Sequence, residues 1–411
     1  MRGSYHNIKA FFTGLFLTSV LFISNSCRQE SFSPSQADSF IKFYSLFNKD
    51  EGLDVKTLDG RGYVLAGTTY SGTNSNIILI ITDKYGRETS TPKQFGGDYE
   101  DRAHSLIVLS DGGFAILGTT TVESEEESLV TNMYLVRTDH MGNELWTGNY
   151  GGINTNESGF GLAETTDGGF ILIGSTENHT GVKNIYLVKT DPEGEELWTR
   201  THTGLNDDVG LSIAERYSDE GVPKGYIFTG YTKSYSFQPG QSNSNIFIAE
   251  TNQDGRIVNA NTYGGNGEDF GRSLISHPEG GIVVLGTTSD PSSNEKNIFL
   301  GRIDGNISNP LWTRSLGGSD NHIAACVKIT PEDYYIITGT LELTPDNHVI
   351  FLMKTDPGGN IVFTNTFGGS GKQRAQAVDI AEDGGYIITG YNKSGNNSMI
   401  TLIKTNADGE L

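Results

Sequence analysis

Seven positions about fifty residues apart carry the side chains best suited to chemistry: Asp50, Asp101, Glu157, Asp208, Asp269, His322 and Gln373, with Arg374 beside the last. Carboxylates dominate the series. A pair of them can cleave a glycosidic bond, one as acid and the other as base or nucleophile. Gathered at one channel mouth they would form an acidic vestibule for a basic group or for a calcium-like cation, which prefers oxygen ligands. The structural alternative is that each carboxylate accepts backbone N–H bonds in an adjoining loop, as Asx-type turns do. Repetition accounts for the carboxylates without catalysis, because an active site should break the pattern. The breaks are His322, Gln373 and Arg374.

Other chemistry is scarce. There is no G-x-S-x-G, H-E-x-x-H, Cys/His metal cluster or phosphate-binding Walker loop in the 411 residues. No cofactor is implied, calcium at the acidic mouth being the one candidate ion, and the identity of any metal stays open. The eight His are scattered, with His104 and His322 placed near the mouth. Acidic side chains outnumber basic ones 50 to 29, a net charge of −21, which argues against nucleic acid or an anionic lipid surface as partner.

The elements that must position these groups are strands. Residues 160–204 hold four short apolar runs, with Asp167-Gly168-Gly169 between the first two and Asp191-Pro192-Glu193-Gly194 between the last two. Runs of that length between Asp/Gly turns predict a four-stranded antiparallel meander. One such sheet leaves a face bare and needs copies beside it. A Gly ending the second strand recurs at Gly67, Gly118, Gly174, Gly230, Gly286, Gly339 and Gly390. The fourth strand ends in an aromatic or Leu before Gly-Gly, with His202-Thr203-Gly204 as the degenerate copy. Four strands per period of about fifty predict an all-β, seven-bladed β-propeller of four-stranded antiparallel blades over residues 39–411. The seventh copy stops where its fourth strand should begin, and residues 40–47 (FIKFYSLF) form a fourth strand without a sheet. The N-terminal strand is therefore expected to pair into the C-terminal blade and close the ring. Small residues three places before the first-strand apolar position, Gly52 and Ala103 among them, are expected where strands crowd the axis.

The hairpins TDPEGEELW and TDHMGNELW resemble the turn-and-Trp hairpin of quinoprotein-type propellers, in which the Trp docks between blades. The whole pattern of YGG, DGGF, YLVKTD and GxELW is similar to the propeller-repeat proteins exported by Gram-negative bacteria. That resemblance implies the fold and says little of activity.

Residues 1–26 read as a signal peptide: Arg2 and Lys9, an apolar run over residues 11–23, then Ser24-Asn25-Ser26-Cys27. This resembles a bacterial lipoprotein signal, with Cys27 as the lipidated residue and residues 27–38 as its tether. The protein is then exported, an outer-membrane lipoprotein on the cell surface or the periplasmic face, touching membrane only through its anchor. Cys326 would be a buried thiol without a disulfide partner.

Loops between second and third strands vary most, and loops on a rigid frame are where recognition resides. Residues 233–245 carry Tyr235 and Phe237, suited to stacking on a sugar or anchoring in a partner, or else folded over the loop's own base. The acidic run at residues 123–127 reads as a solvated face. The expectation is a monomeric, non-catalytic module binding or scaffolding a protein or glycan, with a carbohydrate-active enzyme as the alternative.

Overall fold

Each Asp-Gly signal closes a hairpin. At Asp111, Asp167 and Asp383 the carboxylate accepts the N–H two residues on, from Gly113, Gly169 and Gly385, at 2.9, 3.1 and 2.9 Å. The intervening Gly112, Gly168 and Gly384 have φ of 83°, 81° and 80°, a conformation that favours glycine. The computed structural model describes residues 39–411 except 125–127, 153, 219, 236–242, 294 and 306. Residues 1–26, Cys27, the tether, Phe237 and part of the acidic run lie outside the described residues.

The chain is all-β. After β1 (Phe40–Tyr44) comes the run β2 (Lys49–Leu58), β3 (Gly62–Ser71), β4 (Asn74–Thr82) and β5 (Lys93–Phe95). Four separate four-stranded antiparallel sheets follow. They are β6 (Asp101–Val108), β7 (Phe114–Glu123), β8 (Leu129–Thr138) and β9 (Glu144–Tyr150); then β10 (Asn156–Glu164), β11 (Phe170–Glu177), β12 (Lys183–Thr190) and β13 (Glu196–His202). Next come β14 (Asp208–Tyr217), β15 (Pro223–Thr232), β16 (Asn245–Thr251) and β17 (Ile257–Tyr263); then β18 (Phe270–Ser276), β19 (Ile282–Ser289), β20 (Lys296–Ile303) and β21 (Pro310–Leu316). The chain ends with β22 (Asn321–Ile329), β23 (Tyr335–Thr344), β24 (Asn347–Thr355) and β25 (Ile361–Phe367), followed by β26 (Lys372–Ile380), β27 (Tyr386–Ser394) and β28 (Asn397–Lys404). β1 pairs antiparallel with β28, from Phe40↔Lys404 to Tyr44↔Ile400. Single parallel pairs, Lys49↔Ser398 and His348↔Lys372, link neighbouring meanders.

The cores lie between successive sheets. Leu117 and Leu135 of one sheet pack with Leu162, Phe170 and Leu172 of the next. Val55, Leu65 and Ile78 likewise pack with Tyr44, Ile387 and Leu402. Second and third strands are buried almost throughout, which is why they read as continuous apolar runs. The small residues belong to these sheet-to-sheet contacts and not to crowding at the axis. A Cβ on Gly52 would lie 2.7 Å from the Gly390 carbonyl oxygen of β27, and one on Gly159 2.8 Å from that of Gly118.

A second device joins the sheets. Trp146, Trp198 and Trp312 sit against Gly194, Gly255 and Gly359 in the next sheet's third-to-fourth-strand turn. Phe363 takes that place at Gly409, and Phe40 of β1 takes it at Gly86.

Candidate functional site: an axial cavity lined by strand bulges

Each first strand is irregular at the same repeat position. Along β6 the partners are Ala103↔Gly118 and then Ser105↔Leu117, so His104 faces no residue of β7. The same skip leaves Leu53, Phe160, Leu211, Arg272, Ala325 and Gln376 unpaired on β2, β10, β14, β18, β22 and β26. Such a bulge sets two residues against one and re-aims the extra side chain. The recurrent second-strand glycine makes room for it. A Cβ on Gly118 would lie 1.9 Å from the Arg102 carbonyl oxygen, and one on Gly174 1.8 Å from that of Ser158. These glycines therefore lie inside their strands and do not end them; a recurring Gly within a strand is a signal of close backbone approach.

All seven bulge residues line one cavity of about 260 Å³. Sequence reading singled out none of them as a site residue, His104 alone having been placed near the channel mouth. Their chemical variety hides the common position, and only the glycine opposite betrays it. Most charges around the cavity are paired. Lys328 Nζ lies 3.2 Å from Asp379, and Lys56 pairs with Asp54. Burial works against both charges of the first pair, yet the Asp379 carboxylate holds Lys328 above its ordinary pKa, and the Lys328 and Lys56 ammonium groups hold Asp379 below its own.

His104 meets the Phe160 ring edge-on, with centroids 4.9 Å apart. Burial, and then the Arg102 charge, push its pKa down to about 4, so the imidazole is neutral near pH 7. Arg272 stands apart. Its guanidinium lies 5.4 Å from the Phe270 ring centroid and forms no ion pair among the described residues. Cys326, expected to be buried, lines this cavity and is partly buried, packed against the core that holds Ile336 and Val378. Burial raises its pKa, which keeps it protonated and unreactive.

The carboxylate series occupies the positions preceding the bulges, and its oxygens are bonded to loops and neighbouring hydroxyls, the buried Asp101 Oδ1 excepted. Asp50 Oδ2 accepts the Leu46 and Phe47 N–H groups at 2.9 and 3.1 Å, while Oδ1 accepts the Thr69 hydroxyl. Asp101 accepts Gly97 N–H at 2.7 Å, and Glu157 accepts Gly152 N–H at 3.1 Å and the Thr176 hydroxyl at 2.6 Å. Asp208 accepts Thr232 Oγ1 at 2.5 Å with the Lys233 and Ser234 N–H groups, and Asp269 accepts Gly265 and Ser289 N–H at 2.6 and 3.1 Å. All five are buried, none more than 3% exposed. Burial pushes the Asp101 and Asp269 carboxyls up, against the hydrogen bonds they accept.

The breaks in the series keep the position and change the polarity of the bond. His322 Nδ1 lies 3.0 Å from the Asp320 carbonyl oxygen, and Gln373 Nε2 donates to Ser370 O and Asn392 Oδ1, each at 3.1 Å. Arg374 follows on β26, paired with Tyr391, and makes no ion pair among the described residues. No group of three His, Cys, Asp or Glu side chains is arranged to hold a metal among the described residues.

Tyr235 folds over the base of its own loop, the second of the two readings offered by the sequence. Its ring stacks on the buried Phe247 with centroids 5.7 Å apart and planes 7° from parallel. The ring stays 58% exposed and walls a groove of about 580 Å³ between His202 of one sheet and Phe247, Ile257 and Asn261 of the next.

No family model matches the chain, and no curated protein matches it. Among solved structures it is similar to the WD40 domain of Pan2 from Neurospora crassa, at 10% identity, over 87% of this chain and 97% of that one, with a TM-score of 0.50. It is also similar to a protein of unknown function from Dyadobacter fermentans, at 10% identity, over 89% and 98% of the two chains, with a TM-score of 0.46. At such identity the first likeness shows the β-propeller fold and no activity.

Proposed function

We propose that this chain is a seven-bladed propeller, closed by β1 as the outer strand of the last blade, that works as a non-catalytic binding or scaffold module. Closure is supported by the β1–β28 register and by Phe40, which meets Gly86 as Trp146 meets Gly194. In keeping with its resemblance to exported propeller-repeat proteins, we read it as a lipoprotein held through Cys27 at the outer membrane, with a protein or glycan as partner.

The observation that carries the binding role is Tyr235, an exposed aromatic ring stacked on a core residue above an inter-sheet groove. Aromatic anchors of this kind lose little side-chain entropy on binding and dominate contact energies. A WD40-like fold makes protein interaction a natural use of such a surface. The carbohydrate-active alternative lacks support, because the carboxylates it would need are buried and bonded to loops. The test is a photo-crosslinking amino acid at position 235 in cells. A discrete adduct is expected there and not at position 311 on β21; equal labelling at both positions would refute the site.

A further inference from the structure

We propose that the axial cavity binds a small organic carboxylate, its charge held by Arg272 and its apolar body lying among the neighbouring bulge side chains. This rests on the cavity itself and not on the partner reading above. Arg272 is delivered to the cavity by the β18 bulge, where Gly271↔Gly286 is followed by Ser273↔Leu285. The lining cations Lys56 and Lys328 already have their carboxylates. Arg272 has none among the described residues, and neither does Arg374, whose charge reaches it. Burial lowers the Arg272 pKa, with Tyr231 opposing and the Arg374 charge adding to the effect. The Arg272 side chain is still solvent-exposed where it lines the open cavity, and a guanidinium beside a second cation favours an anion there, its planar fork matching a carboxylate in two parallel hydrogen bonds.

The remaining lining selects the rest of the ligand. Leu53, Phe160, Leu211 and Ala325 are apolar bulge residues of the same cavity. Gln376 and the serines of the lining can meet a few anion oxygens, but these four apolar faces return nothing to a bare inorganic anion for its desolvation and would cover a hydrocarbon body. A carboxylate on a hydrocarbon or aromatic body satisfies both halves. His104 is neutral there, so it neither competes for nor repels the charge. The net charge of −21 repels anions at long range, but salt screens that field beyond about 10 Å, and inside the cavity Arg272, with the Arg374 charge close enough to reach it, governs.

The test uses benzoate, its neutral analogue benzamide, and inorganic phosphate at matched ionic strength. Wild-type protein should bind benzoate saturably by calorimetry, and its melting temperature should rise with the logarithm of benzoate in excess. Benzamide and phosphate should do neither. Arg272→Gln should weaken benzoate at least about tenfold, the loss expected for one charge-assisted pair. Ala325→Phe fills the cavity while leaving every charge in place, and should also abolish binding; it decides the matter if Arg272→Gln does not fold. The proposal is overturned if wild type ignores benzoate, if benzamide or phosphate binds as well, or if both variants bind benzoate like wild type.

Discussion

His202 Nε2 lies 2.9 Å from the Gly255 carbonyl oxygen, the bond that Tyr150 Oη makes to Gly194 O at 2.7 Å in the preceding sheet and Tyr44 Oη to Gly86 O at 2.7 Å. The copy that looked degenerate in sequence thus keeps its function, with an imidazole N–H replacing a phenol. The bond requires the Nε2–H tautomer. His202→Ala should cost about 1 kcal/mol in chemical denaturation, and His202→Tyr should recover part of it. Equal stability of the alanine variant and wild type would remove the bond from the account.

The bulges depend on glycine. Gly118→Ala would thrust a methyl group into the Arg102 carbonyl, and should lose about 1–3 kcal/mol or more while displacing His104. Gly305→Ala, where an added Cβ meets nothing within 4 Å, is the control and should be near neutral. Similar losses in both variants would argue against the bulge as the cause.

The carboxylate series separates bracing from cation binding. Asp208→Ala should cost about 1–3 kcal/mol, because it removes the acceptor of the Thr232 hydroxyl and a shared acceptor of the Lys233 and Ser234 N–H groups, and Asp208→Asn should cost less. Calcium titrated against thermal melts should leave the wild type unmoved. A rise in melting temperature with the logarithm of calcium, lost in Asp208→Asn, would instead establish an acidic vestibule.

His104 imposes a pH dependence. Its folded pKa of about 4 lies below the ordinary 6.5, so the unfolded chain takes up the proton first as pH falls. Its contribution is complete above pH 6.5 and is lost progressively towards pH 4, up to about 3 kcal/mol in all. His104→Gln should flatten that part of the profile between pH 7.5 and 4.5 in urea titrations. An unchanged slope would show that other groups carry the acid sensitivity.

The N-terminal strand should be integral. Removing residues 39–45 exposes the edge of β28 and uncovers Tyr63 and Gly86, so the melting temperature should fall sharply. Tyr44→Phe isolates one bond and should cost about 1 kcal/mol. Upstream, Cys27→Ser should abolish labelling by radioactive palmitate; retained label would place the lipid elsewhere.

The architecture was legible because it is written in local terms. Asp-Gly turns, apolar runs and the recurrence of Gly-Gly after a terminal aromatic each depend on near neighbours in the chain, and seven copies average out the irregular ones. The candidate site was not. Leu53, His104, Phe160 and Arg272 share no chemistry, so nothing in their types marks a common position, and a bulge shifts them off the alternation that sequence reading relies on. The carboxylates misdirect attention for the opposite reason: Asp50 and Asp208 match in type because they perform the same loop-bracing task.

By itself the sequence determined the strands, their turns, the repeat and the expectation of a closing N-terminal strand, since backbone conformation and apolar period are properties of short segments. Tertiary structure alone decided which side chains meet. It joined seven unlike residues from strands up to 323 positions apart in one cavity, gave Lys328 the Asp379 carboxylate of another strand, and left Arg272 without one among the described residues. Pairing of charges and enclosure of space depend on distances across the fold, which composition and spacing along the chain do not encode.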